Sequence, residues 1–484
     1  MNAGVPPTVE PAPRRVGRFG SLIPVLLVAL IGLALTGCAH RVWNEPIGHL
    51  SADQRYDFRN RLPNNPDDTF VVLAFSGGGT RAAAFSYGVL ESLRDTTILV
   101  DGKQRRLLDE VDVITSVSGG SYTAAYYGLF GDRIFRDFTR DFLYRDWQGE
   151  LIRLAVRPWS LTTMASRDYN RSDLVAAYLD RTLFEGKTFS DMSRNELPFV
   201  ILNASDINNA TTFSFIQQQF DFLCSDLSSY PVANAVMASS ALPGPFATMA
   251  LRNYGDCGER HRSWMQDSLE HDDFLDRRHV VALALERYSH PDRMPILRLV
   301  DGGVTDNLGV RGSMMSPVAH YGNVADMAGA FTPERLRRVR HVLVVVANAD
   351  IYREARWSVN GNEPGMIDML HSSFDAALGI LNTETIALAK QGFLMWESHV
   401  NSLRSPDEPK VKVRFAILTF NQIQDRGERE RFNAMPTTFR LGGADVDALI
   451  AQARELLAKS PDYNSFLGDL DHAPVAYNSK RKSR

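Results

Sequence analysis

The stretch Val111-Asp112-Val113-Ile114-Thr115-Ser116-Val117-Ser118-Gly119-Gly120-Ser121 decides the reading of the fold. An apolar, β-branched run ends in a group of serines and glycines. An alanine- and tyrosine-rich helical pattern follows from Tyr122 to Leu129. The stretch predicts a strand, a sharp turn and a helix, with Ser118 at the corner. A serine held at such a corner points away from its own backbone, toward whatever lies at the C-terminal edge of a sheet. A serine-rich helix N-cap is the plainer reading of the same residues.

Working outward, Thr69-Phe70-Val71-Val72-Leu73-Ala74-Phe75 has the continuous apolar character of a buried strand. Ser76-Gly77-Gly78-Gly79-Thr80-Arg81 breaks it, and Ala82 to Arg94 continues as an amphipathic helix. Residues 95–108 read as a connector with a turn at Asp101-Gly102. The order β-loop-α-β-loop-α predicts an α/β fold with a mainly parallel sheet flanked by helices. Further strands are expected at 197–202, 211–215, 296–300, 342–346 and 411–420. Helices are expected at 231–239, 365–397 and 444–459. Residues 250–295 read as a polar surface insertion. The aromatics of residues 131–196 fit either the wall of an apolar pocket or ordinary core.

The chain has 484 residues and a net charge of −4. Its 53 basic and 57 acidic side chains nearly balance, and a basic cluster stands at the very C-terminus, so no broad field of positive charge favours nucleic acid. Residues 21–35, SLIPVLLVALIGLAL, follow Arg14, Arg15 and Arg18 and end in Leu35-Thr36-Gly37-Cys38. This is the length of a signal peptide closing on a lipobox-like motif, with Cys38 as the lipidated residue. A single-pass anchor is the alternative. The expected division is a lipoprotein signal peptide (1–37), a tether (38–66), the α/β domain (67–425) and a helical extension with a basic tail (426–484). The expected location is the bacterial cell envelope, lipid-anchored. Ala39 follows the cysteine where aspartate would retain the protein at the inner membrane, so the outer membrane facing the periplasm is expected. There Cys224 and Cys257 could pair around residues 225–256; two buried thiols are equally consistent. Neither has zinc-like spacing, and no metal or cofactor is expected.

Three features fall at expected strand ends, where open α/β sheets build their sites. Ser118 is the candidate nucleophile, with the Gly119 N–H facing an oxyanion. Gly77, Gly78 and Gly79 can turn N–H groups inward at a helix N-terminus, where negative charge is favoured. Such a loop suits an acyl-transfer oxyanion. Arg81 would hold its shape or add positive potential. The same loop fits a dinucleotide fingerprint, but the acidic residue expected after the second strand is missing. No histidine stands in a strand-end glycine context, and His320 reads as structural. Asp301-Gly302-Gly303 does end an apolar strand. Its carboxylate can accept the serine proton if partly desolvated, although a plain strand-end turn fits as well.

Taken together, Ser76 to Arg81, Ser116 to Gly120, Ala238-Ser239-Ser240-Ala241-Leu242-Pro243, and Asp301-Gly302-Gly303 with Asp306 to Gly309 resemble the patatin-like phospholipases. The resemblance spans about 230 residues. It implies a three-layer α/β/α patatin fold, a Ser118–Asp301 dyad without histidine, and an oxyanion loop at Gly77, Gly78 and Gly79. It also implies cleavage of lipid acyl esters through an acyl-enzyme. The substrate would be a phospholipid or another acyl-ester lipid, and the N-terminal lipid would hold the enzyme at the membrane. Three positions depart from the family pattern: Ser76 for aspartate, Ala82 for glycine and Ser116 for glycine. They motivate two alternatives: a weak or inactive envelope lipoprotein serving as a binding module, and an acyltransferase.

Overall fold

The computed structural model describes residues 41–48, 55–57, 68–100, 103–164, 169–194, 198–255, 257, 263–270, 277–314, 333–352, 357, 360–361 and 363–470. The signal peptide, Cys38, His320 and the basic tail lie outside these residues. Contacts divide the chain into two units, Met1–Arg41 and Val42–Arg484, and the whole of the sheet belongs to the second.

Eight strands form the central sheet: β1 (Thr69–Phe75), β2 (Val111–Val117), β3 (Phe199–Asp206), β4 (Thr211–Ser214), β5 (Met249–Arg252), β6 (Ile296–Asp301), β7 (His341–Asn348) and β8 (Lys412–Thr419). The order is β8-β7-β1-β2-β3-β6-β5, with β4 beside β3. From β8 to β3 all pairs are parallel. The strands β1, β2 and β3 are buried at every residue. That explains their unbroken apolar sequences, since both faces of each strand are covered.

Helices close both faces. They are α1 (Gly79–Asp95), α2 (Gly119–Phe130), α3 (Val232–Ser239), α4 (Met366–Leu403), α5 (Gly443–Lys459) and α6 (Pro461–Asp469). Two neighbours on β8 establish the three layers. Arg414 pairs with Asp469 of α6 at 2.7 Å, while Phe415 packs on Phe393 of α4 with ring centroids 5.7 Å apart. Successive strand residues face opposite sides, so α4 and α6 sandwich the sheet.

Four features go beyond what the sequence pattern specifies. β6 is not parallel to its neighbours: Asp301 stands opposite Ala204, and the strand runs antiparallel to β3. The insertion at 250–295 is no mere surface loop. It begins with edge strand β5 and buries Leu251, Trp264 and Tyr288. The tether is partly inside the fold. Glu45–Pro46 pairs with Ser225–Asp226, and fully buried Tyr56 stacks on Phe199 at 4.6 Å. The Tyr56 hydroxyl donates to the Val200 carbonyl (2.8 Å) and accepts from its N–H (3.0 Å). The extension beyond residue 425 is helical, as expected, and packs on the rest of the fold. Helix α5 lies so close to α1 that a Cβ on Gly88 would stand 2.5 Å from the Ile450 carbonyl. Cys224 and Cys257 are disulfide-bonded, with Cα atoms 5.5 Å apart.

Candidate active site

Strand β2 ends at Val117 and helix α2 begins at Gly119, so the chain reverses within one residue. Ser118 takes φ 49° and ψ −118°, a left-handed conformation that costs a non-glycine residue about 1–3 kcal/mol. Three hydroxyls under the corner hold it there. The Ser118 N–H donates to Ser239 Oγ at 2.9 Å, and Ser239 Oγ donates to the Asn203 carbonyl at 2.6 Å. Ser121 Oγ lies 2.9 Å from Ser239 Oγ and 3.1 Å from Ser116 Oγ. Ser116, the departure from glycine, is therefore a buried member of this chain of hydroxyls and leaves the corner free to close. The next residue that must stay small is Gly120, where a Cβ would stand 2.7 Å from Phe75 Cβ and 2.8 Å from two carbonyl oxygens.

The antiparallel run of β6 is what brings in Asp301. Strand β3 continues past the end of β2, and β6 returns along its far end to bring Asp301 down to the corner. Asp301 Oδ2 accepts the Ser118 hydroxyl at 2.7 Å, and Oδ1 accepts the Gly303 N–H at 2.8 Å. The flanking backbone is fixed by Ala241 and Ser239, whose carbonyls accept the N–H groups of Asp301 and Gly302. Burial away from water pushes the Asp301 carboxyl up to about 6, against the pull of its bonds from Gly303 and Ser118.

The glycine loop meets the corner edge to edge. A Cβ on Gly119 would come within 2.1 Å of the Gly79 carbonyl, so the two backbones touch. Gly78 and Gly79 have φ 139° and 61°. The N–H groups of Gly78, Gly79 and Gly119 donate to no acceptor among the described residues. Gly77 does not belong to that set. Its N–H is committed to the Asn307 carbonyl at 3.0 Å, and a Cβ there would meet Asn307 Oδ1 at 2.4 Å. Gly77 is thus an anchor of the loop and not one of its free donors.

Arg81 points away from the corner. Its guanidinium donates to the carbonyls of Ala349 (2.9 Å) and Met435 (2.8 Å) and to Thr437 Oγ1 (3.1 Å). The Thr80 N–H donates to the Thr438 carbonyl at 2.9 Å. Ser76 Oγ accepts the Ala349 N–H at 2.8 Å, which ties the end of β7 to the same loop. Sequence reasoning missed Met435, Thr437 and Thr438, which carry no local signal. Asn307 was within reach, because it lies in the Asp306 to Gly309 match.

Beyond the corner, Tyr122 stacks on Phe142 at 4.5 Å, and Phe439 closes on both Tyr122 (5.7 Å) and Phe246 (6.0 Å). Phe138, Phe142 and Trp147 are fully buried and make core. Among the described residues no group of His, Cys, Asp and Glu is arranged to hold a metal ion.

Residues 73–313 match the family model of the patatin-like phospholipases. Those residues form a patatin-like phospholipase domain. Among solved structures, it is similar to human GIVD cytosolic phospholipase A2, at 14% identity and a TM-score of 0.43 over 89% of this chain and 67% of that one. The complex of that human enzyme with methyl gamma-linolenyl fluorophosphonate gives 14% identity and 0.37 over 87% and 65%. So distant a likeness carries no functional weight. A comparison with curated proteins finds no match. Strands β7 and β8 and helices α4 to α6 all lie beyond the residues matched to the patatin-like family.

Proposed function

We propose that the chain hydrolyses carboxylic ester bonds of lipids, as a phospholipase A or lysophospholipase, through a Ser118–Asp301 dyad. The observation that carries this is the 2.7 Å hydrogen bond from the Ser118 hydroxyl to Asp301, at a corner where three backbone N–H groups stand free. Asp301 takes the hydroxyl proton as Oγ bonds to the ester carbonyl carbon. The N–H groups of Gly78, Gly79 and Gly119 stabilise the oxyanion, each donor contributing about 2.7–4 kcal/mol to the transition state. The tetrahedral intermediate collapses and the alcohol leaves with the proton from Asp301. Water then gives a proton to Asp301 as it attacks the acyl carbon, the Oγ–acyl bond breaks, Ser118 takes that proton back and the fatty acid leaves. A carboxyl raised to about 6 is a better base than an exposed one and is still ionised at neutral pH.

The anchored location belongs to the same proposal. Cys38 carries lipid, and the enzyme faces the periplasm from the outer membrane. Among the described residues no helix is long and apolar enough to cross a membrane. The test uses the full chain with p-nitrophenyl esters, beside Ser118→Ala and Asp301→Asn. Both variants are expected to lose at least 10³-fold in kcat/KM. Equal rates in all three proteins would exclude the dyad.

A further inference from the structure

The helices Trp147–Ala155 and Pro158–Met164 leave an unusual surface uncovered. Ile152, Val156, Trp159 and Leu161 are each more than half exposed, and all sit around the turn between the two helices. Apolar side chains grouped in this way mark an interaction site more often than chance exposure does. Beside them is a cavity of about 290 Å³ lined by Arg145, Glu150, Arg153, Leu154, Arg157 and Tyr178. Glu150 is already taken: Arg145 donates to both its oxygens at 2.8 Å and Tyr178 to one at 2.7 Å. Arg153 and Arg157 have no ion-pair partner among the described residues, and the Arg157 guanidinium lies 5.4 Å from the Trp159 ring centre. The surface is thus an apolar patch with a tryptophan, next to a pocket lined by three guanidiniums and one carboxylate.

We infer that this surface docks on a lipid bilayer bearing anionic phosphate headgroups. The tryptophan and aliphatic side chains would enter the headgroup–acyl boundary, and Arg153 and Arg157 would meet a phosphate. Three observations favour this occupant over another protein. The first is charge: two unpaired guanidiniums beside apolar side chains and a tryptophan match the composition of interfacial helices. The second is position. The Gln148 N–H donates to the Phe439 carbonyl, and Phe439 packs on Tyr122, four residues after Ser118. The surface therefore borders the edge of the sheet at which a lipid substrate must arrive. The third is a matching apolar stretch on the other face of the sheet, at the same edge. Asn382 of α4 bonds Asp350, just past the end of β7, at 2.7 Å. The turns of α4 before it carry exposed Met369, Leu370 and Ile380.

The inference rests on the lipid-hydrolase reading for its motive but not for its test. The Ser118→Ala full chain is mixed with vesicles of phosphatidylglycerol whose acyl chains carry bromine, a contact quencher of tryptophan. Quenching is expected, and the Trp159→Phe variant should lose it even where an N-terminal anchor still holds the protein on the vesicle. Arg153→Gln with Arg157→Gln should weaken docking, read from Trp159 quenching, by about 30-fold on anionic vesicles, taking each basic residue at its usual contribution near such a surface. On neutral phosphatidylcholine the same pair should change little. No quenching, or quenching unchanged by Trp159→Phe, overturns the inference and leaves ester hydrolysis untouched. Sedimentation equilibrium covers the rival occupant. A wild-type dimer that Val156→Asp turns into a monomer assigns the patch to a second copy of this chain, and so overturns it too.

Discussion

Replacing Asp301 by asparagine should stabilise the protein at neutral pH while abolishing its activity. The buried carboxyl is raised from 3.8 to about 6, chiefly because ionisation takes place away from water. Between those two values the folded state holds a proton that the unfolded state has released. Stability therefore falls as pH rises through this window, and the loss is complete above about 6. A rise of this size corresponds to about 3 kcal/mol. Asparagine is neutral and nearly isosteric. Its Oδ1 can still accept from the Gly303 N–H, but the charge-assisted bond from Ser118 is weakened, at a cost of about 1 kcal/mol. A net gain of about 2 kcal/mol is expected at about pH 8, shrinking to zero or a slight loss near pH 4. Urea unfolding of both proteins across this range measures it. If the difference between wild type and Asp301→Asn does not change with pH, the carboxyl is not desolvated as described, and the case for Asp301 as base weakens with it.

The same geometry sets four further outcomes. The kcat/KM of ester hydrolysis should rise with pH through a limb near 6, as Asp301 loses its proton, and Ser118→Ala should abolish the rate that shows this limb. Arg81→Ala should lower kcat on a neutral p-nitrophenyl ester by about 10²-fold with little change in KM, because the side chain shapes the oxyanion loop and does not touch substrate. An unchanged kcat with a raised KM for phospholipid alone would mean that Arg81 turns to the headgroup. Tyr56→Phe should cost about 1–3 kcal/mol in denaturant unfolding, since it leaves the Val200 carbonyl and N–H unpaired in the core. Reduction of Cys224–Cys257 should cost about 3–4 kcal/mol, given a separation of 33 residues, and show as a lower Tm in dithiothreitol.

The parts of the site legible in sequence are those whose geometry is local. A strand that ends in Ser-Val-Ser-Gly-Gly has few ways to turn, and Ser118 emerges from that alone. Three glycines before a helix announce free N–H groups for the same reason, although Gly77, committed to Asn307, is indistinguishable from its neighbours in sequence. Asp301 was marked by the glycines after it, but the direction from which it arrives was not. A strand of six residues looks the same parallel or antiparallel, and only pairing with the overhang of β3 decides. The edge strand β5 was hidden by its length of four residues. Tyr56, in a polar stretch, gave no sign that its ring would be swallowed by the core.

The contacts of Arg81 set the order in which the enzyme can come into being. The glycine loop is made early in synthesis, yet its guanidinium clamp closes on the carbonyl of Met435, 354 residues later, and Thr80 needs Thr438. Chains grow from the N-terminus, so Ser118, Asp301 and the glycine loop all exist long before the loop can be locked in shape. A chain that stops before Met435 lacks the clamp on its glycine loop. The shape of the loop is therefore settled only near the end of synthesis, by residues that precede the last two helices.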